Sequence, residues 1–131
     1  MIPNFRAYDS GSLSRMYQPD EVMVGNGDIW IIDEDSVAGE WIVNNDLNLM
    51  QSTGLKDKNG KEIFEGDIVL VLDSLYTVFY DNEKGSYRLK PHDDRWNVDY
   101  MSNFSHGGNF EIIGNIYENP ELLEVINEKR K

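Results

Sequence analysis

Cysteine is missing from the 131 residues, which removes disulfides, thiol nucleophiles and cysteine-ligated zinc from consideration. That composition suits a reducing compartment, and the expected location is the cytoplasm. Long apolar runs are missing too. No window approaches the ~20 apolar residues that cross a bilayer, and the N-terminus MIPNFRAYDSGSL holds no apolar run of signal-peptide length. The expectation is a soluble chain with no membrane partner. Positive charge is the third shortage: 12 lysines and arginines face 24 aspartates and glutamates, for a net charge of −12. Affinity for nucleic acid comes largely from neutralising phosphates, so this balance argues against a DNA or RNA binder unless the few basic groups share one face. The deficit is uneven, because residues 1–55 carry only Arg6 and Arg15 against nine carboxylates, including the run Asp33, Glu34, Asp35. An acidic surface of this kind keeps a protein soluble and can also dock on a basic partner.

What is present is the vocabulary of short strands. Eleven glycines are spread along the chain as punctuation, with no internal repeat and no low-complexity linker. FRAYD and LSRMYQP flank Asp9-Ser10-Gly11-Ser12 and read as a hairpin with a polar turn. DIWIID (28–33) and EWIVNN (40–45) are rich in Trp and Ile, which fit a pleated, half-buried surface, and read as a second strand pair. Asn59-Gly60 lies between KDK and KEIF and predicts a tight primed turn, in which both central residues take positive φ. Glu65-Gly66-Asp67 bends the chain into IVLVL, whose unbroken apolar run predicts a strand buried on both faces. YTVFYD (76–81), Asn82-Glu83-Lys84-Gly85 and SYRLKP (86–91) form a further hairpin. With a last strand around FEIIGNIY (110–117), the order fits a small, strongly bent barrel of the SH3-like kind. Asn119 and Pro120 predict the start of a C-terminal helix, as N-cap and first helical residue; Leu122, Leu123 and Ile126 share one of its faces. The expected architecture is mainly β in a single domain of 1–131, comprising an N-terminal β subregion (1–50), a barrel-like subregion (51–118) and a short helix (119–131).

Three blocks carry a resemblance: IPNFRAYD (2–9), LMQSTGLKDKNGKEIFEGDIV (49–69) and FEIIGNIYENPELLE (110–124). In order and spacing they are similar to the YopX family of bacteriophages and of prophages in Gram-positive bacteria. Two residues depart from the family pattern, Tyr8 where tryptophan is usual and Ser52 where an aromatic is common, and each removes aromatic area from local packing. The resemblance implies a phage-related, β-rich protein able to assemble into homo-oligomers. It brings no catalytic residues.

Candidate chemistry in the residues themselves is sparse. His92-Asp93-Asp94 with His106 is the one cluster with two imidazoles and a carboxylate for a metal, and both histidines sit in loop-like sequence. A serine or threonine nucleophile would need one of them within reach and a third group to orient it; no G-x-S-x-G marks such a site. Asp33, Glu34 and Asp35 read as a solvated turn. Gly25-Asn26-Gly27 lacks the third glycine and helix of a phosphate loop, and Gly60-Lys61 lacks Walker spacing. Trp30 and Trp41 sit inside apolar runs and read as core. Trp96 lies in polar DDRWNVDY, near Arg88, Lys90 and Arg95, where basic and aromatic residues interleave. Those four are the candidate partner-binding residues.

The sequence therefore leads to a non-enzymatic protein-interaction or homo-oligomeric module with no cofactor, no metal and no catalytic residues. Host or phage proteins are its expected partners. A nucleic-acid-binding barrel using the Lys84–Arg95 hairpin is the second reading, and a metal-dependent hydrolase on His92 and His106 the third.

Overall fold

A computed structural model describes residues 4–11, 14–93, 99–100 and 110–123. They form a mainly β protein whose chain divides into two compact units, 1–52 and 53–131, each with its own apolar core.

In the first unit, β1 (Phe5–Asp9) and β2 (Arg15–Tyr17) form the expected hairpin, with Ala7 opposite Tyr17. The Asp9 carboxylate accepts the Gly11 N–H at 2.8 Å, which starts the turn. A 3-10 turn, Pro19–Glu21, leads into β3 (Val22–Gly25), which pairs with β4 (Asp28–Ile32), and β4 pairs with β5 (Trp41–Val43). The β3–β4 connection consists of Asn26 and Gly27, with φ of 53° and 80°, so this Asn-Gly makes the two-residue primed turn whose twist matches its strands. β6 (Asn48–Lys56) runs antiparallel to β1. Ala7, Tyr17, Val22, Ile31 and Leu47 make the core, with Phe5, Ile29 and Leu49 packed against it. Tyr8 and Ser52, the two departures from the family pattern, are both buried.

In the second unit β7 (Glu62–Phe64) borders β6. β8 (Asp67–Val71), β9 (Ser74–Asp81), β10 (Ser86–Pro91), β11 (Asp99–Tyr100) and β12 (Glu111–Asn115) form an antiparallel sheet in the order β11-β10-β9-β8-β12. The sheet curls as a half-barrel. IVLVL meets its pattern in part: Ile68, Val69 and Val71 are all essentially inaccessible, Leu70 is half-buried, and Leu72 lies past the strand and is 80% exposed. Ile63, Val69, Val71, Val78, Leu89 and Phe110 form the core.

Two further details differ from expectation. The β6–β7 loop is not a primed turn, because Gly60 has a φ of 83° whereas Asn59 does not enter the positive region. The Gly60 N–H closes a turn on the Asp57 carbonyl at 3.0 Å. The Asp57 side chain then organises the rest: Oδ1 accepts the Asn59 and Lys61 N–H groups, and Oδ2 accepts that of Ile112 at 3.1 Å on distant β12. An aspartate able to satisfy three donors sets the loop, and the Asn-Gly pair follows it. At the other end of the unit, residues 121–123 are helical, and 124–131 lie outside the described residues. Asn119 is turned away from the predicted cap: its Oδ1 accepts the Asn115 N–H at 3.2 Å. It lies so close to Gly114 that an added Cβ there would meet Oδ1 at 2.6 Å. The preceding turn is held by Asn115, whose Oδ1 accepts from Tyr117 and Glu118.

Candidate functional site

The three-stranded sheet β3-β4-β5 has two apolar faces, and its own core covers only part of one of them, where Val24 and Ile42 remain 42% and 43% exposed. Residues directly opposite in an antiparallel ladder point to the same side. Val22, Ile31 and Ile42 stand in one row across the three strands, and Met23, Trp30 and Val43 in the next. Val22 and Ile31 belong to the core cluster, so the alternate residues face away from it. Met23, Trp30, Ile32, Trp41 and Val43 thus share the outer face. Met23 is 45% exposed, Trp41 36% and Val43 44%, while Trp30 and Ile32 are half-buried. Trp41 is therefore not a core residue, and Trp30 is only partly covered. A period of two cannot say which side points inward when both sides are apolar.

Between Ile32 and Trp41 the chain loops through the acidic run. The Asp33 side chain accepts the Asp35 N–H at 3.0 Å, and the Asp33 N–H pairs with the Glu40 carbonyl. This is the local turn the sequence suggested. Next to it, a cavity of about 210 Å³ is lined by Tyr17, Ile31, Ile32 and Ile42 and by Asp33, Glu34 and Asp35. Arg15 pairs with Glu21 and Glu34 and stacks 4.3 Å from the centre of the Tyr17 ring.

The residues expected to bind a partner fall in the second unit. Arg88 donates to the Asp81 carboxylate at 2.8 Å, with both side chains largely buried. Arg88 guanidinium, with the Lys84 and Glu83 amides, holds Asp81 below the usual carboxylate range despite a contribution from burial in the opposite direction. An arginine committed in this way fixes a hairpin and has little left for a phosphate. Lys90 is exposed beside a cavity of about 290 Å³, with Thr77, Pro91, His92, Ile116 and Leu123. Arg95 and Trp96 lie outside the described residues, as do Asp94 and His106 of the suggested metal cluster.

His92 has acquired a partner that the sequence could not reveal. Its Nε2 lies 2.8 Å from Thr77 Oγ1, the spacing of a base and a hydroxyl nucleophile. Burial pushes the His92 pKa below the ordinary imidazole value; the Leu122 backbone opposes that shift and Lys90 adds to it. Among the described residues Nδ1 is buried without a well-formed hydrogen bond, and the Leu122 backbone is the group near enough to act on the ring. The Thr77 bond ties the end of β10 back to β9, where the His92 N–H also reaches the Leu75 carbonyl at 3.0 Å.

Fold and face together define a small, acidic, antiparallel β protein with a partly exposed, tryptophan-bearing sheet face. Residues 4–124 match the family described as YopX protein, and the chain belongs to that family. Its fold is similar to the crystal structure of protein EF1440 from Enterococcus faecalis, at a TM-score of 0.64 and 31% sequence identity, over 95% of this chain and 99% of that one. No curated protein matches the chain.

Proposed function

We propose that this chain is a phage or prophage accessory protein of the host cytoplasm that works by binding protein, through the outer face of β3, β4 and β5, and not by catalysis. One observation carries the reading. Met23, Trp41 and Val43 stand exposed, with half-buried Trp30 and Ile32 between them, on one apolar sheet face that does not belong to the unit's core cluster. Apolar area taken out of water is worth roughly 25 cal/mol per Å², and tryptophan and methionine are enriched where proteins meet. The face is available to a host or phage protein and to further copies of the chain, the association that the family resemblance implies.

The test compares tagged wild type with Met23→Glu/Trp41→Glu in phage-infected or prophage-induced cells, by pull-down after nuclease treatment and by native mass. Both substitutions are on exposed positions, so melting should change by no more than a few degrees. The expected result is a nuclease-resistant protein partner, or a multiple of the monomer mass, that the double variant loses. Identical partners and mass for both proteins would overturn the reading, and nuclease-sensitive recovery would move attention to nucleic acid.

A further inference from the structure

We propose that the occupant of this sheet is an extended, lysine- or arginine-bearing segment of another protein, which adds to the free edge of β5 as a fourth strand. The proposal rests on the reading of the sheet as a binding face and names the partner's chemistry.

The backbone supplies the first argument. Among the described residues β5 is the last strand in the order β3-β4-β5, with its far edge unpaired. The Asn44 N–H donates to the Ile29 carbonyl and the Asp33 N–H to the Glu40 carbonyl, each at 2.8 Å. With Ile42 opposite Ile31, the alternation of an antiparallel ladder turns the backbone groups of Ile42 toward β4. Those of Trp41 and Val43 turn outward. Four hydrogen-bonding groups thus line the open edge, and added strands are recognised through such groups.

Side-chain parity supplies the second. Residues of an added strand opposite Trp41 and Val43 would lie on the outer face, beside two tryptophans, and apolar side chains suit them. The residue opposite Ile42 would lie on the other side of the sheet, beside the cavity that Ile42 lines with Tyr17, Ile31, Ile32, Asp33 and Asp35, Glu34 being paired with Arg15. A lysine or arginine fits both parts of that cavity: its methylene stem covers the apolar lining and its charged head reaches the carboxylates. Alternating apolar and basic residues are therefore the complementary pattern.

Charge separates this occupant from the same edge of a second copy. Residues 1–52 hold nine carboxylates and two arginines, and neither arginine is left over. Arg15 is paired with Glu21 and Glu34; Arg6 is buried, with its Nε against the Met50 sulfur at 3.4 Å. Exposed Glu40 and Asp46 flank β5 at its two ends. Two such edges brought together would set like charges against each other, whereas a basic segment would find complementary ones. A short edge flanked by charge is also how proteins prevent self-pairing.

The experiment uses the full chain and a fluorescein-labelled nine-residue peptide alternating valine and lysine, with a valine–glutamate peptide as control, read by anisotropy. The lysine peptide should bind with a Kd in the micromolar range and weaken at least tenfold on raising the salt. The glutamate peptide should not bind. Val43→Pro removes an outward N–H at a place where proline is tolerated and should weaken binding at least tenfold with little change in melting. Asp33→Asn/Asp35→Asn should weaken the lysine peptide and reduce its salt dependence. Equal binding of the two peptides, or full binding by Val43→Pro, would overturn the proposal. If neither peptide binds but the wild type self-associates and Trp41→Glu dissociates it, the occupant is a second copy and only the basic segment is refuted. If no association of any kind depends on Trp41, the reading of the sheet fails as well.

Discussion

At the scale of single residues, Asp57 shows how much of a fold can hang on one carboxylate. It is 5% exposed and accepts three backbone N–H groups, two from its own loop and one from Ile112, 55 positions away. Burial pushes its pKa up, but the three donors and nearby Lys61 win, and it stays below the ordinary 3.8. The folded-state pKa is depressed, so Asp57 contributes its stability above the unfolded value and loses it as pH falls through the folded one. Asp57→Ala strands three donors, each worth on the order of 1 kcal/mol or more when left unpaired. We expect a loss of about 3 kcal/mol at neutral pH. Asp57→Asn removes the titrating group; its urea midpoint should vary less than the wild type's between about pH 5 and about pH 2. An unchanged acid limb would show that other carboxylates carry it.

At the scale of elements, the β9–β10 hairpin is locked by a diagonal pair. Ser86 is opposite Asp81 and Arg88 opposite Phe79, so Asp81 and Arg88 lie on one face one step apart, where long side chains reach each other. Asp81 also accepts the Glu83 and Lys84 amides. Arg88→Glu sets two carboxylates together there and should lower the melting temperature by several degrees and speed amide exchange at 83–88. Lys90→Glu, at an exposed position, should do neither. If Arg88→Glu melts like wild type, the pair is ornamental and Arg88 is free for a partner after all. Such pairs mark the limit of legibility from sequence. The hairpins at 5–17 and 76–91 and the buried strand IVLVL were readable because turn chemistry and pattern agree locally. β3 was not, since the Asn26-Gly27 turn that builds it was weighed only as a phosphate loop. The same dipeptide at 59–60 pointed to a turn type that Asp57 overrides. The β8–β9 turn carried no signal, because Leu72 and Asp73 take φ of 48° and 71° without a glycine. The interleaved basic hairpin was visible as composition, but its pairing with Asp81 depends on register. The outer face of β3-β4-β5 was visible as Trp-rich strands, yet which of two apolar sides met the core was settled only by Val22 and Ile31 packing with Ala7, Tyr17 and Leu47.

At the scale of the whole molecule, the net charge of −12 acts on folding and on binding with opposite sign. Carboxylates in excess repel one another more in the compact state than in the unfolded chain, a cost that counterions reduce. Ion pairs such as Arg15 with Glu21 and Glu34, Lys58 with Glu111 and Arg88 with Asp81 oppose this repulsion, and exposed pairs contribute little. Raising sodium chloride from ~0.01 M to ~0.15 M shortens the screening length from ~30 Å to ~8 Å. The melting temperature should therefore rise across that range. Binding of a basic segment to the β5 edge should weaken over the same range, because the attraction that steers it is screened by the same ions. Scanning calorimetry and peptide anisotropy in one set of buffers measure both slopes. Opposite slopes would mean that the acidic excess is retained at a cost in stability because it serves recognition. A melting temperature that falls with salt would mean that the ion pairs outweigh the excess. A peptide affinity that holds constant would assign recognition to the apolar face alone.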